Sequence, residues 1–371
     1  MPRIFRPPMY LPRYLARFSG LLMLVATLGL QGCQPDGNEV PPPAATAYPW
    51  QTPRGFVQPT FPPDNPMTVE GVMLGRRLFY DKRLSDDNTQ SCASCHLQEA
   101  GFSDPERFST GIDGIQGSRN AMALVNLAWQ DFLFWDGREN SLESQAIQPV
   151  IDPIEMHTTW PEVEAKLRAD PLYPALFKKA FGSDQISQDR ITKALAQFER
   201  SLVSANSKFD RWFRGEETFT AQELEGYTLF NSERGDCFHC HGDLNTGLTF
   251  GAFGNVQFSN NGLDSTLVPG SGYERVTGNP ADRAKFKIPT LRNVEYTAPF
   301  MHDGRFATLR QVIEHYNFGG HPSATLDPNM KAAGIGRNWS LEEKDALLAF
   351  MLTLSDPVFL TDTSFADPEA P

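Results

Sequence analysis

Two five-residue units, Cys92-Ala93-Ser94-Cys95-His96 and Cys237-Phe238-His239-Cys240-His241, constrain this chain more than any other feature it carries. Two thiols three positions apart, followed directly by an imidazole, are what covalent c-type heme attachment requires. The thiols add to the porphyrin vinyl groups and the histidine is held under the iron. A lone Cys-x-x-Cys would equally suit a zinc half-site or a redox dithiol. Here each pair has its own histidine, so the chain reads as a cytochrome with two covalent hemes, proximally bound through His96 and His241. His239 lies between the two cysteines of its motif and is read as a surface residue, not a ligand. Four of the five cysteines are used in this way, and no pair is left for a disulfide.

The fifth, Cys33, closes an N-terminal stretch with Arg3, Arg6, Arg13 and Arg17, no acid, and an apolar run from Phe18 to Leu30. That run is shorter than the ~20 apolar residues a membrane span needs, so residues 1–32 read as a secretory signal. Leu30-Gln31-Gly32-Cys33 resembles a lipobox, which makes Cys33 the expected lipidated first residue and places the protein in the periplasm, anchored to a membrane only through that lipid. Residues 33–63, rich in Pro, Ala and Thr without apolar period, read as a flexible tether. Removing the four arginines takes the formal charge from −12 to −16. So acidic a protein is a poor match for nucleic acid; the charge suits a small basic redox partner and equally suits keeping an exported protein soluble.

With 371 residues, 29 Gly and 29 Pro, the expected fold is mainly α, with long connecting loops and no large sheet. Helix starts announce themselves by their caps. Thr68 precedes a run through Val72, Leu74, Leu78 and Phe79 that leads into the first motif. Thr159 to Glu162 forms a capping box, and Ser187 opens a helix with Ile191, Ala194, Leu195, Phe198 and Leu202 on one face. Thr220, Thr308 and Ser340 cap three more, and Gly242 to Asn279 reads as a long loop with room for a short hairpin. The order of capped helix, heme motif, loop and later helix occurs twice. Two cytochrome c-like domains are therefore expected, each with one covalent c-type heme, at 64–207 and 208–360, followed by a tail at 361–371.

The first heme lacks an obvious second ligand near it in sequence: no His lies between His96 and His157. Its far side reads as open, as peroxide chemistry requires. The run Phe134-Trp135-Asp136-Gly137-Arg138, then Leu142 to Ala146 and Pro153-Ile154-Glu155-Met156, resembles the bacterial diheme cytochrome c peroxidases and their relative MauG. In the second half, Phe286 to Asn293, Thr297 to Gly304 and Thr308 to Tyr316 follow the same family order. The resemblance spans roughly 65–360.

The resemblance implies that Glu155 moves a proton between the peroxide oxygens, that Gln145 orients the oxidant, and that Trp135 relays electrons between the hemes. It also implies a calcium ion bound by the Asn120 side chain and the Thr297 and Pro299 carbonyls, a hard oxygen set. Many relatives carry a His after the first motif that blocks the iron, whereas this chain reads Ser109-Thr110-Gly111-Ile112-Asp113-Gly114. The expected first heme is therefore open in the ferric protein. For the second heme the family register places Tyr316 opposite His241, with Met301 as the rival. Tyr316 shares a helical face with Leu309, Val312 and Ile313, while His315 points elsewhere. His302, His157 and His321 are expected to be hydrogen-bonding or surface groups.

The expected function is reduction of hydrogen peroxide to water with electrons from a small cytochrome c or cupredoxin. Two alternatives stand beside it: a MauG-like enzyme oxidising residues of a partner protein, and a diheme electron carrier without catalysis. The assembly is left open, a homodimer included.

Overall fold

The structure is a computed structural model describing residues 45–242, 250–251, 254–255 and 258–369. The expected signal segment, Cys33 and the first part of the expected tether lie outside the described residues. The described residues form one compact unit. Seven helices of ten residues or more frame it: α1 (Val69–Tyr80), α2 (Trp160–Ala169), α3 (Leu172–Phe181), α4 (Gln188–Ser201), α5 (Ala221–Phe230), α6 (Leu309–Phe318) and α7 (Leu341–Leu352). The mainly helical expectation holds. Strand structure among the described residues is limited to two antiparallel pairs, β1 (Phe250–Gly251) with β2 (Gly254–Asn255) and β3 (Phe258–Ser259) with β4 (Phe286–Lys287). No helix among the described residues is long and apolar enough to cross a membrane.

Each helix whose cap is legible in the sequence starts where that cap predicts. Thr68 Oγ1 accepts from Gly71 N, Ser187 Oγ from Arg190 N, and Thr159, Thr220, Thr308 and Ser340 each form a reciprocal box with the residue three positions on. These bonds satisfy amides that the first helical turn leaves without partners.

One packing relation occurs twice. Gly75 of α1 sits against the backbone of α4 so closely that a Cβ would lie 1.9 Å from the Ala194 carbonyl oxygen and 2.9 Å from Phe198 Cβ. Gly226 of α5 meets α7 in the same way, at 1.9 Å from the Ala346 oxygen and 2.8 Å from Phe350 Cβ. In both places a glycine lets a helix that precedes a heme motif cross a later helix at backbone contact, and a Phe four residues beyond the Ala fills the side of the crossing.

Two main cores surround these crossings. The first joins Leu74, Leu78 and Phe79 of α1 to Val163, Phe177, Ile191 and Phe198, with Phe102 after the first motif. The second joins Phe209, Phe230, Ile313, Trp339, Leu347 and Phe350. Phe359 and Leu360, from the far end of the chain, are built into the first core. The segment after them follows: Arg76 Nε donates to the Ala366 carbonyl at 2.6 Å and Tyr80 Oη to that of Phe365 at 2.9 Å. The expected tail is therefore docked over its described part.

Residues 45–63 of the expected tether are likewise packed on the body. Trp50 packs on Phe61 and Trp129 with ring centroids 4.9 and 5.8 Å away, and Phe56 packs on Trp129 at 5.2 Å. Trp129 Nε1 donates to the Val57 carbonyl at 2.8 Å. Aromatic anchors spaced without period, on a segment stiffened by proline, hold it to the body although no helix or strand pattern marks it.

Candidate active site

Ser91 and Ser94 cap the short turn Cys92–Ser94 reciprocally, which fixes the first two thiol positions. The ring of His96 follows, and its Nδ1 lies 2.9 Å from the Phe102 carbonyl oxygen. A carbonyl can only accept, so Nδ1 carries the proton and Nε2 keeps its lone pair for a metal. Burial pushes this imidazole toward its neutral form, against the Phe102 bond. His241 is built alike: burial lowers it to about 4, and its ring bonds the Pro289 carbonyl. Two thiols and a neutral imidazole aimed at one cavity, in each of two places, fit covalent heme.

The first cavity, of about 580 Å³, is lined by Cys92, Cys95, His96, Gln145, Glu155 and Trp135, among others. Gln145 ends the turn Leu142–Gln145, whose Glu143 is gripped by Arg200 of α4 through bonds of 2.8 and 2.9 Å. Glu155 lies in the turn after the next short helix, Ile147–Ile151, its amide bonded to the Asp152 carbonyl at 3.0 Å. Burial, reinforced by the Asp152 charge and opposed by Arg138, pushes its carboxyl up to about 6. A group poised there exchanges a proton readily near neutrality.

The loop that lacks the family histidine, Ser109 to Gly114, is folded back on itself. Gly117 N donates to Ser109 O at 3.0 Å and Gly111 N to Ile115 O at 2.9 Å. Gly111 lies so close to the Ile154 carbonyl that a Cβ would stand 2.1 Å from its oxygen.

The second cavity, of about 230 Å³, is lined by Cys237, Cys240 and His241 and by both rival ligands, Tyr316 and Met301. One amide reaches both: Asn261 Nδ2 is 3.3 Å from Tyr316 Oη and 3.5 Å from Met301 Sδ. Burial pushes the Tyr316 phenol up to about 12. His315 is buried beside them, does not line the cavity, and bonds the Asn261 carbonyl through Nε2 at 3.1 Å.

Trp135 lines both cavities. Its Nε1 donates to the Asn120 carbonyl at 2.8 Å, and its own carbonyl accepts from Lys287 N at 2.8 Å. Asn120 in turn donates Nδ2 to the Glu106 carbonyl at 3.1 Å, which leaves Oδ1 as its free acceptor, and it lines the second cavity together with Thr297 and Pro299. His302 is buried and stacked on Phe286 with centroids 3.6 Å apart, His157 bonds Asp113 at 2.6 Å near the surface, and His321 donates its amide to the Gly262 carbonyl.

One sequence expectation fails here. His239 is buried, with Nδ1 2.5 Å from Asp236 Oδ1, because Asp236 takes a positive φ of 60° and brings its carboxylate under the ring. Sequence reasoning also missed two charged groups. Glu199 lines the first cavity, is pushed up to about 8 by burial against the pull of Arg200, and its Oε2 has no hydrogen-bond partner. Lys287 lines both cavities and is buried. Periodicity gives no sign of either; only the burial of α4 on all sides and of β4 exposes them.

Residues 69–218 match the family model described as di-haem cytochrome c peroxidase. The chain is 38% identical over 294 residues to the cytochrome c551 peroxidase of Nitrosomonas europaea, covering 78% of this chain and 81% of that one. It is 37% identical over 303 residues to the methylamine utilization protein MauG of Methylorubrum extorquens, covering 81% and 82%. Among solved structures it resembles a MauG-like protein associated with microbial copper homeostasis, with a TM-score of 0.79, 37% identity, and coverage of 87% of this chain and 99% of that one.

Proposed function

The chain belongs to the di-haem cytochrome c peroxidase family, and from that premise we propose that it reduces hydrogen peroxide to water at a heme held by Cys92, Cys95 and His96. The observation that carries this reading is Glu155, an acid poised near 6 in the same cavity as that imidazole and both thiols. When bound, the heme supplies the iron that accepts peroxide oxygen and the electrons that split its bond. The chain's own residues handle the protons. Glu155 as carboxylate takes a proton from one peroxide oxygen and returns it to the other, which can then depart as water. The Gln145 amide holds the oxidant in line with that transfer.

A second heme would be held by Cys237, Cys240 and His241, with Tyr316 as the side chain available to close its other face, and would supply electrons to the first; Trp135, which lines both cavities, would be the residue between them. Two electrons and two protons balance the reduction of one peroxide to two waters. The donor is a small cytochrome c or cupredoxin, for which the acidic surface is suited. The two glycine crossings support reading the body as two cytochrome c-like domains, divided near residue 207. A calcium ion at Asn120, Thr297 and Pro299, export to the periplasm and a lipid on Cys33 complete the proposal.

A second reading is favoured by two observations, the likeness to a MauG-like protein across nearly all of that protein's length and the absence of histidine from Ser109 to Gly114. In it the same center draws electrons from residues of a partner protein. Steady-state peroxide turnover with reduced cytochrome c decides between them. Rapid donor oxidation supports the peroxidase. Diheme protein that stays oxidised for a long time after peroxide, without donor turnover, overturns it in favour of the second reading.

A further inference from the structure

Lys287 is the buried cation for which the described residues provide no counter-charge. It is 7% exposed, and its Nζ makes one hydrogen bond, to the neutral Gln130 Oε1 at 3.2 Å. The other cations lining the two cavities are placed differently. Arg138 and Arg275 reach Asp136, Arg337 reaches Asp236, Arg292 grips Asp210 with two bonds of 2.7 and 2.8 Å, and Arg119 is exposed. A lone ammonium in an apolar wall costs several kcal/mol unless an anion meets it or it gives up its proton. Burial does lower this lysine, to about 8, which leaves it largely charged at neutral pH.

Its backbone is fixed from two sides. Lys287 N donates to the Trp135 carbonyl, and β4 is paired with β3 through Phe258 opposite Lys287. Lys287 therefore belongs to the wall common to both cavities, as does Trp135. The groups those cavities fit are hemes, and each heme carries two propionate carboxylates.

We propose that the Lys287 ammonium is a carboxylate anchor that binds a heme propionate in the wall between the two heme cavities, making it a positioning residue for the cofactor. This rests on the diheme reading. A salt bridge here would hold one heme in place within its cavity, and the positive charge would stabilise the reduced form of that heme. Lys287 would thus link heme placement and heme potential in one group.

The test uses full-length diheme protein with Lys287→Met and Lys287→Arg, scored for covalent heme content, for both midpoint potentials, and for the propionate bending mode in resonance Raman spectra. Lys287→Met should keep both hemes, shift the propionate mode, and favour the ferric state of one heme by about tenfold, ~59 mV for a one-electron couple. Lys287→Arg should restore the potential. Unchanged midpoints and an unchanged propionate mode in Lys287→Met overturn the anchor, as does an Arg variant displaced as far as the Met variant, which would assign the effect to shape. If the Met variant fails to accumulate, Lys287→Gln, which keeps a hydrogen bond to Gln130 but no charge, is read by the same criteria. A wild type without two covalent hemes would instead overturn the cofactor assignment on which the anchor stands.

Discussion

The backbone N–H of Ile112 donates to the carbonyl of Glu155 at 3.0 Å, so the loop from Ser109 to Gly114, which has no histidine, is tied to the turn that carries the proposed distal acid. The side chains this loop offers to the first cavity are small, Ser109, Thr110 and Gly111. None of them is an iron ligand of the strength of imidazole. The fully ferric protein should therefore show a high-spin heme in its electron paramagnetic resonance spectrum before any reductant is added, and should react with peroxide in that state. A purely low-spin ferric spectrum would mean that another residue closes the first iron.

The same turn sets a pH dependence. The carboxyl of Glu155 is raised to about 6, so its carboxylate, the form able to take a peroxide proton, is depleted on the acid side of that value and grows as pH rises through it. Peroxide turnover should climb with pH through about 6 and level off above. Glu155→Gln should lose ~10²–10⁴-fold in rate and lose the acid limb as well. A Gln variant that keeps the limb would assign it to a different group.

How much of this was legible in the sequence depended on the range of the signal. The six helix caps depend on residues three or four positions apart, and each was readable. The two heme motifs are contiguous and were readable for the same reason. The burial of His239 is not legible in the sequence, because its partner Asp236 reaches it only through a positive φ, which local pattern does not display. Residues 45–63 and the end of the chain are held by single aromatic and carbonyl contacts to elements remote in sequence, such as Trp129 to Val57 and Tyr80 to Phe365. Glu199 and Lys287 read as ordinary surface charges until the fold surrounds them.

At the second heme, Asn261 stands within reach of both candidate ligands, 3.3 Å from Tyr316 Oη and 3.5 Å from Met301 Sδ. Tyr316 projects from α6, anchored by its cap at Thr308 and by buried Leu309 and Ile313, whereas Met301 sits in a turn at a φ of 76°. The better supported side chain is the tyrosine. Tyr316→Phe should convert the second heme from low-spin to high-spin or water-bound, visible in absorption and magnetic spectra, while Met301→Leu leaves its spin state unchanged. The opposite pattern would make the thioether the ligand.

The two glycine crossings predict a matched pair of stability losses. A methyl group at Gly75 or Gly226 would enter the space of a carbonyl oxygen 1.9 Å away, on a facing helix whose backbone cannot swing aside as a side chain could. Overpacking typically costs ~1–3 kcal/mol, and contact with backbone places these sites toward the upper end. Urea unfolding of Gly75→Ala and Gly226→Ala should show lower midpoints, each with loss of its own heme environment first. Wild-type midpoints in either variant would mean that the helices separate at small cost.

Asn120 connects the proposed ion to the proposed electron path. Its backbone carbonyl accepts the Trp135 indole N–H at 2.8 Å, and its Nδ2 is committed to the Glu106 carbonyl, which leaves Oδ1 for a hard cation shared with the Thr297 and Pro299 carbonyls. Removing calcium would free Asn120 to shift and would loosen the hold on Trp135. Chelation should therefore slow electron delivery from the second heme to the first, measured by stopped-flow absorbance, and added calcium should restore it. Asn120→Asp, which keeps an oxygen ligand and adds charge, should retain the ion, whereas Asn120→Ala should behave as the chelated protein does. Elemental analysis of wild type that finds no calcium would remove the ion from this account and leave Asn120 as a partner of Trp135 alone.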